Sequence, residues 1–203
     1  VNESTEWAES QENPDPQEAL NNLYAPKQTF MEKPESERDS IVLVDAINHA
    51  LDEELSFNDK MLVYGQDVAD GKGGVFTATK GLSDKYTDKR VFNSPLAESS
   101  IIGTAIGMAT LGYKPIIEIQ FGDYIWTSMM QIRNELSTIR YRSNGDWDCP
   151  VVMRVPVGGY IHGSLYHSQS IDGYFTHMPG IHIVYPSNAA DAKALLKTAC
   201  RIN

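Results

Sequence analysis

An α/β fold in three layers, with a mostly parallel sheet and helices on both of its faces, is the architecture the sequence predicts from about Ser40 onward. Three observations carry it. Short apolar runs of strand length alternate along the chain with longer amphipathic stretches. The first such run, Met61-Leu62-Val63-Tyr64, has no polar alternation, as a strand covered on both faces requires. The composition, 41% hydrophobic and 22% charged in 203 residues, suits one ordinary globular domain with a substantial core.

The elements follow in order. Residues 1–39 form an acidic linker or arm, rich in Glu, Asn, Gln and Pro and too poor in aliphatic residues to offset the entropy of ordering. Leu20, Leu23, Tyr24, Phe30 and Met31 interrupt that polarity, which suits either a stretch that docks on a partner surface or a mobile tail. Ser40 can cap a helix running to Leu55, with Val42, Ala46, Ile47, Ala50 and Leu51 on one face. The strand Met61–Tyr64 runs into a Gly-Gln-Asp loop. Further strands are expected at Arg90–Asn93, Pro115–Ile119, Val151–Val155 and Ile181–Tyr185, and helices near Ala97–Leu111, Tyr124–Arg142 and Asn188–Cys200. Two loops, Gly71–Gly74 and Gly158–Gly163, are rich in glycine, and neither has the spacing of a dinucleotide- or nucleotide-phosphate loop. The chain opens on Val1 without an initiator Met and stops straight after a helix-like stretch, so it reads as a piece of a longer polypeptide.

Charge and cysteine content exclude several classes of function. The net charge of -10 argues against nucleic acid or an anionic membrane as the main partner. Ten acidic and three basic groups in residues 1–40 account for most of it. No apolar run has the length of a membrane span and no signal-peptide pattern opens the chain, so a cytoplasmic setting is expected. Cys149 and Cys200 are too few for a disulfide framework or zinc site and read as buried structural thiols.

The residues that suggest chemistry begin at Ser94-Pro95-Leu96-Ala97-Glu98. Glu98 stands just after a proline turn, at the start of a helix whose Gly and Ala recur at four-residue spacing, so a second backbone or a flat ligand can approach closely. Such a carboxylate either complements the helix dipole or handles a proton. His167, in the polar string Tyr166-His167-Ser168-Gln169-Ser170, is a side chain that titrates near neutrality and can shuttle protons. His162 and His177 have neither helical spacing nor flanking acids that would make a metal pair, and are read as structural. No G-x-S-x-G elbow supports a serine hydrolase. Arg133, Arg140 and Arg142 serve equally well as solvent-facing charge or as an ion-pair network at a subunit interface.

Taken together with Glu118-Ile119-Gln120-Phe121-Gly122-Asp123-Tyr124 and Arg140-Tyr141-Arg142-Ser143, these strings resemble, in order, the β subunit of the thiamin-diphosphate-dependent decarboxylating component of 2-oxo acid dehydrogenase complexes. Glu-Ile-Gln-Phe and Tyr-His-Ser-Gln-Ser point to its branched-chain type, and the resemblance runs from about Ser40 to the end. It implies a pyrimidine-binding domain in which Glu98, in an apolar pocket, shares a proton with the 1'-nitrogen of thiamin diphosphate. Leu96 packs on the pyrimidine, Tyr124 stacks on or borders it, and His167 supports substrate and reductive transfer to lipoyl near the entrance.

No Gly-Asp-Gly segment ending in Asn is present, so the magnesium and diphosphate half of the site is expected from an α subunit or a fused α half. The chain alone is expected to be inactive. The other implied partners are a second β part and a lipoyl-bearing acyltransferase; backbone carbonyls near Val151–Met153 and the terminal helix can hold structural potassium. Ser100, Met130 and Trp126 depart from the family pattern, Met130 by removing a charge and Trp126 by its bulk. Pyruvate-type and transketolase-like relatives, and a non-catalytic assembly module, are the rival readings.

Overall fold

The computed structural model describes residues 1–27 and 40–203. In chain order the helices are α1 (Asn2–Glu9), α2 (Leu43–Phe57), α3 (Leu82–Tyr86), α4 (Glu98–Thr110), α5 (Ile139–Arg142), α6 (Asp172–Phe175) and α7 (Ala189–Arg201), and the strands are β1 (Met61–Gly65), β2 (Val91–Asn93), β3 (Lys114–Glu118) and β4 (Val152–Arg154). The four strands form one sheet in the order β2-β1-β3-β4, with every pairing parallel. No helix among the described residues is long and apolar enough to cross a membrane.

The period-two geometry of the strands divides the core into two halves. Met61 and Val63 of β1, Ile116 of β3 and Val152 of β4 face one side, where they meet Leu51 and Leu55 of α2 and Leu196 and Cys200 of α7. Tyr64, Ile117 and Met153 face the other side and meet Ile101, Ile102 and Ala105 of α4 together with Ile125 and Ile132. Layers of helix, sheet and helix follow directly. Within the first outer layer, α2 and α7 are zipped by ion pairs: the buried Glu54 carboxylate accepts from Arg201 at 2.5–3.0 Å, and Glu53 meets Lys193 and Lys197 at 2.6 and 3.0 Å. In the second, the buried Tyr64 hydroxyl donates to the Ile101 carbonyl at 2.7 Å, so the same ring that fills the core also fixes α4.

Four of the five expected strands are present, and the differences have physical reasons. Ile181–Tyr185 forms no strand. Ile183, Val184 and Tyr185 are exposed and join no ladder among the described residues. The stretch expected to be a continuous helix from Tyr124 to Arg142 is a 3-10 turn at Gly122–Ser128, a wide turn at Gln131–Leu136 and then α5. Ser128, Ser137 and Thr138 turn their hydroxyls back onto the carbonyls of Ile125, Arg133 and Asn134, a competition with the main-chain ladder that bends helices. Helix α2 starts at Leu43 with Val42 as its exposed N-cap and no side-chain cap, so Ser40 does not cap it.

Among the described residues of the arm, α1 buries no residue and a 3-10 turn at Pro16–Leu20 is capped by Asp15. Asn22 and Tyr24 contact the chain's own domain: Asn22 donates to Asn144 at 3.1 Å, the Tyr24 carbonyl accepts from Arg140 at 3.3 Å, and the Tyr24 ring meets His182. Leu20 is exposed; Phe30 and Met31 lie outside the described residues.

At the C-terminal end of the sheet, Glu118 and Arg154 occupy paired positions of β3 and β4. Their side chains meet at 2.5 Å with Glu118 only 1% exposed, and its second oxygen accepts the Val75 N–H at 3.0 Å. Two glycines make room for this residue, Gly65 for its backbone and Gly74 for its carboxylate. A Cβ on Gly65 would stand 2.5 Å from the Glu118 carbonyl, and one on Gly74, where φ is +71°, about 3.0 Å from its carboxylate.

Replacing Arg154 by Met leaves the buried Glu118 charge unpaired and is expected to cost about 3–5 kcal/mol. Glu118→Gln added to it is expected to recover part of that loss; chemical denaturation of the single and double variants measures both.

A second expectation concerns alkaline pH. Burial lowers the Lys114 ammonium from 10.5 to about 8, with small opposing pulls from Cys200 and Cys149, and burial also pushes both thiols up from 9.0 to about 12. Beside Cys200, Glu54 raises its thiol and Arg201 lowers it. Above pH 8 the folded chain releases the Lys114 proton that the unfolded chain keeps to about 10.5, so this group adds stability as pH rises through that window. From pH 9 to 12 the thiols act in the opposite sense, because the folded chain keeps protons that the unfolded chain releases. The unfolding free energy of wild type relative to Lys114→Met should therefore rise between pH 8 and 10.5, and a flat difference would contradict the assignment.

Candidate functional site

The residues singled out in the sequence all lie beyond the C-terminal ends of the strands: Leu96 and Glu98 follow β2, Tyr124 follows β3 and His167 lies on the long loop after β4. In an open parallel sheet this is the end at which loops converge on a ligand.

Glu98 is the first residue of α4, where unpaired N–H groups favour a negative side chain. Its Oε1 accepts from Gln66 Nε2 at 3.2 Å and its Oε2 from Thr127 Oγ1 at 3.4 Å. Both donors are neutral, and no ion pair engages Glu98 among the described residues. The carboxylate is half-buried among polar side chains, so the expected apolar pocket is not formed by this chain: the start of α4 opens to solvent. Gln66 itself is 3% exposed, locked behind β1 with its carbonyl accepting from Gln120 at 3.5 Å. Leu96, 82% exposed, projects from the same turn and offers a bare apolar surface.

Tyr124 and His167 are brought together. The Tyr124 hydroxyl lies 2.6 Å from His167 Nε2, and His167 Nδ1 lies 3.1 Å from the Gly163 carbonyl. A carbonyl can only accept, so Nδ1 carries the proton, and in the neutral ring Nε2 accepts from the tyrosine hydroxyl. The tautomer is thereby set by a main-chain atom. Phe121 meets both rings edge-on, 5.7 Å from Tyr124 and 4.7 Å from His167. Gly163 permits the arrangement, since a Cβ there would fall 2.3 Å from His167 Cβ. Asp123 accepts the Gln169 N–H at 3.3 Å and holds the histidine string against the turn after β3.

Thr127 joins the two halves, because its hydroxyl reaches both Glu98 and the Tyr124 carbonyl, and its own carbonyl accepts from Ser99. Two further hydroxyls, of Ser94 before Leu96 and of Ser168 after His167, are buried and have no partner among the described residues. A buried hydroxyl without a partner is uncommon in a folded protein.

Gln66, Thr127, Phe121 and the Glu118–Arg154 pair were not assigned roles from the sequence. Position could have flagged Gln66, which directly follows a fully buried strand; nothing local marks Thr127. His162 and His177 are exposed. Arg140 pairs with Asp148 and Arg142 with Glu135, both within the chain, and Arg133 is exposed. Trp126 packs edge-on against Tyr174 at 4.9 Å, while Met130 and Ser100 face solvent. Cys200 is buried and Cys149 half-buried, both with raised thiol pKa values.

Known proteins share the sequence pattern and the fold of this domain. Residues 39–203 match the family model described as transketolase, pyrimidine binding domain. The chain is 51% identical over 158 residues to the 2-oxoisovalerate dehydrogenase subunit beta of Bacillus subtilis, covering 78% of this chain and 48% of that protein. It is 48% identical to the mitochondrial 2-oxoisovalerate dehydrogenase subunit beta of Dictyostelium discoideum, over 81% of this chain and 44% of that one. The pyruvate dehydrogenase E1 component subunit beta of Bacillus subtilis is 42% identical over 80% of this chain and 50% of its own length. The chain thus spans about half the length of the curated relatives it matches. A solved structure titled as a split gene transketolase, inactive beta4 tetramer, shares the fold with a TM-score of 0.61 at 24% identity, over 81% of this chain and 49% of that one. The chain belongs to the family of transketolase pyrimidine-binding domains.

Proposed function

We propose that this chain is the pyrimidine-binding part of the decarboxylating component of a branched-chain 2-oxo acid dehydrogenase. The observation that carries the proposal is the Glu98 carboxylate: it stands beyond the C-terminal ends of the strands, held by two neutral donors and by no cation among the described residues. The higher identities to 2-oxoisovalerate than to pyruvate dehydrogenase subunits favour the branched-chain substrate. In this reading residues 40–203 are the domain and residues 1–39 its acidic arm.

Thiamin diphosphate fits the residues present. A carboxylate free of ion pairs can meet a ring nitrogen, Leu96 gives the pyrimidine an uncovered apolar neighbour, and the orphan hydroxyls of Ser94 and Ser168 flank the two ends of the site. When bound, the cofactor supplies the electron sink for loss of carbon dioxide from a 2-oxo acid. Glu98 would hold a proton at its carboxyl oxygen towards the pyrimidine 1'-nitrogen, with Gln66 and Thr127 fixing the rotamer. Tyr124 would border the pyrimidine and exclude water, and its hydroxyl keeps His167 Nε2 oriented. His167 would receive or return a proton at Nε2 near the entrance, where substrate and lipoyl arrive.

Magnesium and diphosphate binding fall to an α subunit or a fused α half, since the sequence lacks the Gly-Asp-Gly segment for them. A second β part and a lipoyl-bearing acyltransferase complete the proposed assembly. The bare surface of Leu96, Trp126 and Met130 suits such packing. Neither nucleic acid nor membrane is proposed as a partner, and the setting proposed is cytoplasmic.

The test is Glu98→Gln in the assembled enzyme. The amide keeps the size of the side chain and the bond accepted from Gln66, turns the one to the Thr127 hydroxyl into a donated bond, and removes the transferable proton. Turnover of a branched 2-oxo acid is expected to fall on the order of a hundredfold or more with the unfolding midpoint kept. If Glu98 only complements the helix dipole, activity stays and stability falls by at most about 1 kcal/mol. The chain alone is expected to release no carbon dioxide from a 2-oxo acid, and measurable release would overturn the division of the site between two parts.

A further inference from the structure

The Glu98 carboxylate has two unlike partners, one on each oxygen. Oε1 accepts from the Gln66 amide nitrogen at 3.2 Å, and Oε2 lies 3.4 Å from the Thr127 hydroxyl. No charged side chain bonds to Glu98 among the described residues. Gln66 directly follows β1 and is 3% exposed, so its amide has little room to turn. An amide nitrogen only donates, and turning the amide over would set its oxygen against an anionic oxygen whenever Glu98 is ionised. Oε1 is therefore an acceptor in both states of the carboxyl group, and a proton taken up by Glu98 belongs on Oε2.

Thr127 can face that oxygen in either state. A hydroxyl has one proton to give and lone pairs with which to receive one. The Thr127 hydroxyl stands between two acceptors, Oε2 of Glu98 at 3.4 Å and the Tyr124 carbonyl at 3.3 Å. Both distances are long for a bond between oxygens, so neither acceptor holds the threonine proton firmly. With Glu98 ionised, the hydroxyl donates to Oε2. With Glu98 protonated, Oε2–H donates to Thr127 Oγ1, and the threonine proton turns to the Tyr124 carbonyl. One rotation about the Cβ–Oγ1 bond connects the two arrangements, and the Thr127 backbone stays in place because its carbonyl accepts from the Ser99 hydroxyl.

We propose that Oε2 is the proton-bearing oxygen of Glu98 and that Thr127 is its positioning residue, donating to the carboxylate and accepting from the carboxylic acid. The inference rests on the reading of Glu98 as a proton carrier. It adds that a ring nitrogen meets Glu98 on its Oε2 side, where Thr127 holds the proton between turnovers.

Infrared difference spectra of the assembled protein without cofactor, acid against neutral, isolate the carboxylic acid of Glu98 once those of Glu98→Gln are subtracted. The C=O stretch belongs to the oxygen without the proton, and loss of a donor to that oxygen raises its frequency. Gln66→Leu is therefore expected to move the Glu98 band upward, and Thr127→Val to move it by less. Gln66→Met serves the same comparison if the leucine variant does not fold. A missing Glu98 band, the reverse order of shifts, or a band that neither variant moves overturns the proposal. In the complete enzyme, Thr127→Val is expected to lower turnover of a branched 2-oxo acid on the order of three- to tenfold with the unfolding midpoint kept, and Thr127→Ser to restore it. An equal loss in a Glu98→Gln background, where there is no carboxyl proton for Thr127 to hold, overturns the proposal as well. Full turnover by Glu98→Gln alone would instead remove the proton-carrying role of Glu98, and the infrared bands would still decide which oxygen is protonated.

Discussion

A carboxylate and a guanidinium buried face to face on neighbouring strands set the frame on which the candidate site hangs. Glu118 and Arg154 are paired in register, so the β3–β4 ladder itself brings their side chains together. A buried charge is tolerated only when paired and hydrogen-bonded, and Glu118 satisfies both conditions at once by also accepting the Val75 N–H. That second bond matters most for the site, because it ties the glycine-rich segment before Val75 to the centre of the sheet. Gly65 and Gly74 are the complement of the same pair: any larger side chain at either position would meet Glu118.

From this frame the polar loops fan out in a fixed order. The loop after β1 supplies Gln66 to one oxygen of Glu98, and the turn after β3 supplies Thr127 to the other. A carboxylate held by an amide and a hydroxyl keeps its orientation without having its charge cancelled, which a lysine or arginine partner would do. The Tyr124–His167 contact follows a similar logic, with one end of the imidazole committed to a main-chain carbonyl and the other presented to a hydroxyl. Residues from the ends of all four strands therefore converge on the site.

The two ends of the sheet are used differently. The C-terminal ends carry neutral donors and an ion-pair-free acid, while the N-terminal ends carry Lys114 against the last turn of α7. Between them, α2 and α7 are held by Glu53 and Glu54 with Lys193, Lys197 and Arg201, which keeps the terminal helix against the sheet. On the other face α4 buries Ile101, Ile102, Ala105 and Ala109, and a Cβ on its Gly107 would meet no other part of the described chain within 4 Å, a helix surface narrow enough for another backbone to approach.

Sequence alone determined the layered α/β class, four of the strands, the limits of α4 and α7 to within a residue or two, and Glu98, Leu96, Tyr124 and His167 as residues to examine. These were legible because burial on two faces leaves an unbroken apolar run, because amphipathic period marks a helix, and because the motif strings are local. Tertiary structure decided the rest. Whether Ile181–Tyr185 is a strand depends on a neighbour to pair with, which no local pattern reveals, and the break in Tyr124–Arg142 depends on hydroxyls choosing main-chain carbonyls. Gln66 and Thr127 are 61 residues apart in number and meet only because Glu98 stands between them. The polar surroundings of that carboxylate, and the buried pairing of Glu118 with Arg154, are products of register and loop closure, and those are set by packing across the sheet between residues distant in the chain.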